Sequence, residues 1–109
     1  MPANNLNLKS AFRRFVDLVK PIDEVYCVTA VEPSRPDFFT YIRQRNDEVV
    51  RQIFQAEKAV NKEFPDVLID YHIIFLEGRP LEDFVTHQPE FTYLKKGLRS
   101  KELKRGVEG

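Results

Sequence analysis

The sequence predicts an α+β domain, equally describable as α/β: a small mixed sheet of three to four strands with two main helices packed mostly on one side, in the order α-β-β-α-β. Three observations predict it. Apolar residues recur at helical spacing over 6–19 and again over 47–64. Two runs rich in β-branched and aromatic residues, 25–31 and 67–76, have strand composition. Prolines punctuate the chain between these stretches.

In the first helix, Leu8, Phe12, Phe15, Val16 and Val19 gather on one face, while Lys9, Arg13, Arg14 and Asp17 take the other. Pro21 lacks the N–H a helix needs and biases Lys20 away from helical dihedrals, so the helix ends there. The run VYCVTAV at 25–31 carries no charge on either side, the pattern of a strand covered on both faces and therefore central in its sheet. Residues 32–37, with prolines at 33 and 36, then turn the chain.

Residues 38–45 (FFTYIRQR) admit two readings. They open a single helix running to Phe64, or they form the second strand of a hairpin with 25–32. The aromatic and β-branched composition favours the hairpin. So does Asn46-Asp47, which offers a fresh helix start with Glu48 in the first turn. The helix over 47–64 follows, with Val49, Val50, Ile53, Phe54, Ala56 and Val60 as its core face and Pro65 as its stop. In the strand at 67–76, Val67, Ile69, Tyr71, Ile73 and Phe75 make an apolar face, and Leu68, Asp70, His72, Ile74 and Leu76 oppose it. Gly78-Arg79-Pro80 is a turn, 81–85 a single helical turn and 91–94 a short edge strand.

A chain of 109 residues suits one domain, here 1–94, and buries roughly two-thirds of its unfolded surface without metal or disulfide support. Net charge is zero, but residues 95–109 form a charged tail expected to be mobile. Lys95, Lys96, Arg99, Lys101, Lys104 and Arg105 stand there against Glu102 and Glu108, leaving +4 on the tail and −4 on the body. A nucleic-acid or acidic partner for that tail is one expectation, although it lacks the interleaved aromatics used for base stacking. No stretch reaches the length of a membrane span, and Met1 to Asn7 do not read as a secretory signal, so the expectation is a cytoplasmic protein without membrane contact.

Missing residues exclude several chemistries. No glycine occurs before Gly78, so a glycine loop cradling phosphate after the first strand is excluded, as is a nucleophile elbow. Ser10, Ser34 and Ser100 have no local context for attack. Cys27 is the single cysteine, which excludes an internal disulfide and a cysteine zinc cluster, and its apolar setting is that of a buried structural thiol. His72 and His87 lack metal-ligand spacing, so no metal or cofactor is expected.

Asp70 and His72 form the one local constellation. Two apart on a strand, they project from the same face, where a carboxylate can orient an imidazole as base or ligand. Tyr41, Arg43 and Arg45 share a face of the hairpin's second strand and are the candidate ligand-binding residues, because guanidinium forks match anionic oxygens. A surface ion-pair network is the competing reading for the arginines, and a locally satisfied histidine is the competing reading for His72.

The order helix, 25–30, the turn Arg35-Pro36-Asp37, 38–42, helix, and Leu68-Ile69-Asp70-Tyr71 resembles the minimal nucleotidyltransferase domain. In that family a Gly-Ser pair after the first strand holds phosphate, and three carboxylates, two at D-x-D and one on a later strand, hold two magnesium ions. By that resemblance Asp37 corresponds to the first carboxylate and Asp70 to the third. Phe39 occupies the second place, and Thr29-Ala30-Val31 replaces the Gly-Ser. The resemblance implies a degenerate domain whose two-metal clamp is lost. The leading expectation is a non-catalytic protein-interaction module, in which free strand edges permit a homodimer or a protein partner. A small-ligand binder or enzyme built on Asp70 and His72 is the alternative.

Overall fold

A computed structural model describes residues 4–31, 36–85 and 89–95. The elements run α1 (Asn4–Val19), β1 (Val25–Val31), β2 (Asp37–Ile42), α2 (Asp47–Glu63), β3 (Asp70–Phe75), a 3-10 turn (Leu81–Asp83) and β4 (Phe91–Leu94). The fold is α+β, with two helices and one four-stranded mixed sheet. Strand order is β3-β2-β1-β4. β1 is antiparallel to both β2 and β4, and β3 is parallel to β2. The charge-free run of β1 is thus central, as its composition demands, and residues 37–42 form a hairpin strand rather than the start of a long helix.

Both helices cover one face of the sheet. Leu8, Ala11, Phe12, Phe15 and Val19 of α1 and Val49, Ile53, Ala56 and Val60 of α2 bury against Val25, Val28, Ala30, Phe38 and Ile42. Phe38 is the hub: its ring meets Phe12 edge-on at 5.4 Å and Tyr71 at 5.7 Å, geometries that aromatic quadrupoles favour. α1 lies nearest β1 and β4 and reaches Phe38 of β2 and Tyr71 of β3 through Phe12 and Phe15, while α2 packs beside α1, its Asn61 Oδ1 accepting from Tyr71 Oη at 3.0 Å.

Three expectations change. β2 ends at Ile42: Arg43 N–H still bonds Glu24 O (3.1 Å) across the hairpin, but the chain bends at Arg43 and Gln44, so Arg43 and Arg45 lie outside the strand. β3 begins at Asp70 rather than 67, because Val67 N–H closes a turn on Phe64 O (3.0 Å). Phe54, expected on the core face of α2, is 51 % exposed. The buried stripe 49, 53, 56, 60 is narrow, and position 54 stands about 100° round the helix from 53.

The opposite face of the sheet is covered over half its area. Leu76 and Leu81 bury against Cys27 and Tyr41, with Phe84, Val85 and Leu94 around them. The other half carries Asp37, Phe39, Asp70 and His72.

Candidate functional site

The half-open face comes from the first residues of β2 and β3. Parallel pairing sets Asp37 beside Asp70 and Phe39 beside His72. His72 takes its partner from the neighbouring strand, not from its own: its Nε2 is 3.0 Å from Asp37 Oδ1. Phe39 stacks on the imidazole at 4.6 Å with planes 16° apart, fixing the ring orientation. Asp70 is exposed and shares the face without joining the pair. The result is an aspartate–histidine couple with no nucleophile among the described residues bonded to it.

Tyr41 is buried on the same face, beneath Leu76 and Leu81, and burial pushes its phenol up. Arg43 forks onto Glu24 (3.1 and 3.2 Å) and Arg45 meets Asp47 (3.5 Å), both beyond the opposite end of β2 from Asp37. The five candidate residues therefore occupy two ends of the sheet and do not converge. Between the sheet and the segment after the 3-10 turn lies a cavity of about 240 Å³, walled by Phe39, Tyr41, Ile74, Phe84 and Val85. Its walls are mainly aliphatic and aromatic, with Thr29 and the Tyr41 phenol as polar groups, and the Asp37–His72 couple does not line it.

The resemblance to nucleotidyltransferases asks for three convergent carboxylates. Asp37 and Asp70 do come side by side, but Phe39 fills the remaining place and His72 takes up Asp37. Thr29-Ala30-Val31 is sheet, paired to β2 and β4, rather than a phosphate loop. These residues do not fit a two-metal clamp, and among the described residues no group of three or more His, Cys, Asp or Glu stands ready to hold a metal. Cys27 is buried, and loss of solvation lifts its thiol to about 12, so it stays protonated and inert. His87 and the cations from Lys96 onward lie outside the described residues. Lys95 is engaged, its ammonium donating to Lys20 O and Ile22 O, both at 3.3 Å. No described helix is long and apolar enough to cross a membrane.

A second feature was not visible in the sequence. Among the described residues β3 is an edge strand. Asp70 N–H donates to Pro36 O (3.0 Å) and Leu76 N–H to Ile42 O (2.9 Å), so even-numbered residues bond β2. The backbone N–H and C=O groups of Tyr71, Ile73 and Phe75 consequently point outward. Beside them runs the outer flank of α2, where Phe54, Glu57, Lys58 and Asn61 line one hollow. Asn61 also borders a second hollow with Val67, Leu68 and Asp70. Phe54 and Leu68 (51 % and 82 % exposed) are the exposed large hydrophobics among the described residues, and both belong to this flank. Glu57 lies half-buried there, and loss of solvation raises its carboxyl to about 7, opposed by nearby His72. Burial and the Glu57 charge together push the Tyr71 phenol upward.

A wider hollow of about 560 Å³ lies between α1 and β4, but its rim mixes Lys9 and Arg13 with Asp17 and Glu90. No exposed large hydrophobic borders it, and β4 is only four residues long. The β3 flank is the more distinctive surface. No family model, curated protein or solved structure matches this chain.

Proposed function

We propose that this domain is a non-catalytic protein-interaction module that binds through the β3 edge and the adjoining flank of α2. The observation carrying this reading is the coincidence, among the described residues, of an unpaired edge with both exposed large hydrophobics. Edge strands invite pairing, and folded proteins blunt them with lysine, proline, bulges or shortness. β3 (DYHIIF) has six residues, no lysine and no proline, and pairs with β2 without a register shift. Its open backbone groups supply directional hydrogen bonds, and Phe54 and Leu68 supply apolar area at either side.

The small-ligand alternative needs Asp70, His72 and an arginine around one concavity, which the separation of Arg43 and Arg45 from His72 does not provide. The interaction reading is tested by immobilising the chain and comparing what binds to it with what binds the double variant Phe54→Glu/Leu68→Lys. Both positions are exposed, so the fold tolerates the changes. Loss of the bound proteins from the variant supports the module. Identical recovery from both would sink it.

A further inference from the structure

Independently of the β3 edge, we infer that the cavity beneath Phe84 and Val85 is a binding site for a small neutral aromatic molecule, a single ring carrying one hydroxyl, anchored on the hydroxyls of Tyr41 and Thr29.

The cavity follows from the side chains that the sheet sets side by side. Thr29 of β1 pairs with Phe39 of β2, and Tyr41 of β2 pairs with Ile74 of β3, so these four share the face away from the helices. Three of them are large and Thr29 is short, which leaves a hollow over Thr29. Elsewhere on this face Leu76 and Leu81 close down on Cys27 and Tyr41, whereas Phe84 and Val85 bridge the hollow without filling it. Folded interiors leave few voids larger than a water molecule, and about 240 Å³ is well above that. An apolar cavity of about 150 Å³ stays dry and accepts a benzene ring, so this one has room for a ring with a short substituent.

The lining selects the chemical class. Phe39 stands between two other rings, 4.6 Å from His72 with planes 16° apart and 6.4 Å from Tyr41 with planes 28° apart. That row of near-parallel rings is a preformed aromatic wall, and aromatic rings pack on one another edge-on or offset. Among the described residues no charged side chain lines the cavity. Arg79, whose guanidinium lies over the Phe84 ring at 4.9 Å, is engaged by Asp83 at 3.4 Å, and His72 is engaged by Asp37. A carboxylate or an ammonium would therefore lose its hydration with no counter-charge to meet it. The polar groups are the hydroxyls of Thr29 and Tyr41, both buried residues, and the two hydroxyls bond each other. Two hydroxyls carry two donor hydrogens and their mutual contact uses one, which leaves a donor and acceptor lone pairs for a ligand hydroxyl.

The test is titration of the isotope-labelled chain with phenol, followed by NMR, with toluene and benzoate run beside it. Phenol is expected to move the resonances of Thr29, Phe39, Ile74 and Val85 saturably, with a Kd of about a millimolar or below. Benzoate is expected to leave them unmoved. Tyr41→Phe removes one hydroxyl and keeps the ring, so it should weaken phenol about fivefold and leave toluene unchanged. Val85→Phe fills the cavity from its roof and should abolish the binding of both, with the resonances of α1 and α2 as in the wild type. Tyr41→Phe carries the test if Val85→Phe fails to fold. Absence of saturable shifts at those residues would overturn the site, as would benzoate binding equal to phenol. Phenol and toluene responding alike to Tyr41→Phe would overturn the hydroxyl anchor, and phenol still bound by a folded Val85→Phe chain would overturn the placement.

Discussion

At the scale of single residues, Glu57 is the group whose protonation the fold perturbs most consequentially. It lies on the helix side of the sheet near Tyr71, feels the charge of His72, and shares its hollow with Arg51 and Lys58 of its own helix. Its proton is held more tightly in the folded chain than in the unfolded one, because burial penalises the charge. The folded state therefore binds the extra proton, and the stabilisation is complete below the ordinary carboxylate value of 4.5. It is lost as pH rises through about 7. Chemical denaturation across that interval should show a falling midpoint for the wild type and a flatter profile for Glu57→Gln. An unchanged slope in the variant would assign the dependence to another group. None of this was legible in the sequence, where Glu57 is one more charge on a helix. Its partial burial depends on β3 lying against the same flank.

At the scale of elements, local signals did most of the work. α2 starts at Asp47 because Asn46 adopts an extended backbone and its Oδ1 accepts from Glu48 N (3.1 Å) and Val49 N (3.2 Å). Asn46→Ala should lower stability by about 1 kcal/mol, measurable by urea titration, with Asn46→Asp close to wild type. That cap also settled the ambiguity of 38–45. A helix cannot run through a residue held in an extended conformation to cap the next one. The end of β2 was less legible: Ile42 is followed by no proline or glycine, and Arg43 still bonds Glu24 O across the hairpin before the chain bends at Gln44 on its way to the Asn46 cap. The face of Phe54 was misread for a related reason. Periodicity places it within one step of the buried stripe, and only the width of sheet available beneath α2 decides which residues fall inside.

For the whole molecule, a partner held at the β3 edge stabilises the fold by mass action, because it binds the folded chain and not the unfolded one. The melting temperature should therefore rise when the proteins captured by the wild-type chain are added back to it, and stay fixed in Phe54→Glu/Leu68→Lys.

The sequence alone determined the two helices, the central position of β1 and the common face of Asp70 and His72, and it favoured the hairpin over a long helix. Each follows from interactions within a few residues: apolar period, proline stops, an asparagine cap and strand alternation. It also excluded a glycine phosphate loop, because that chemistry requires a residue the chain lacks there. Tertiary structure alone decided that β3 pairs in parallel with β2 and ends the sheet. That single fact gives His72 its partner in Asp37, separates Arg43 and Arg45 from both, and leaves Tyr71, Ile73 and Phe75 with open backbone groups beside Phe54. Strand neighbours are chosen by how the helices fit over the sheet, a long-range packing condition that no local pattern encodes.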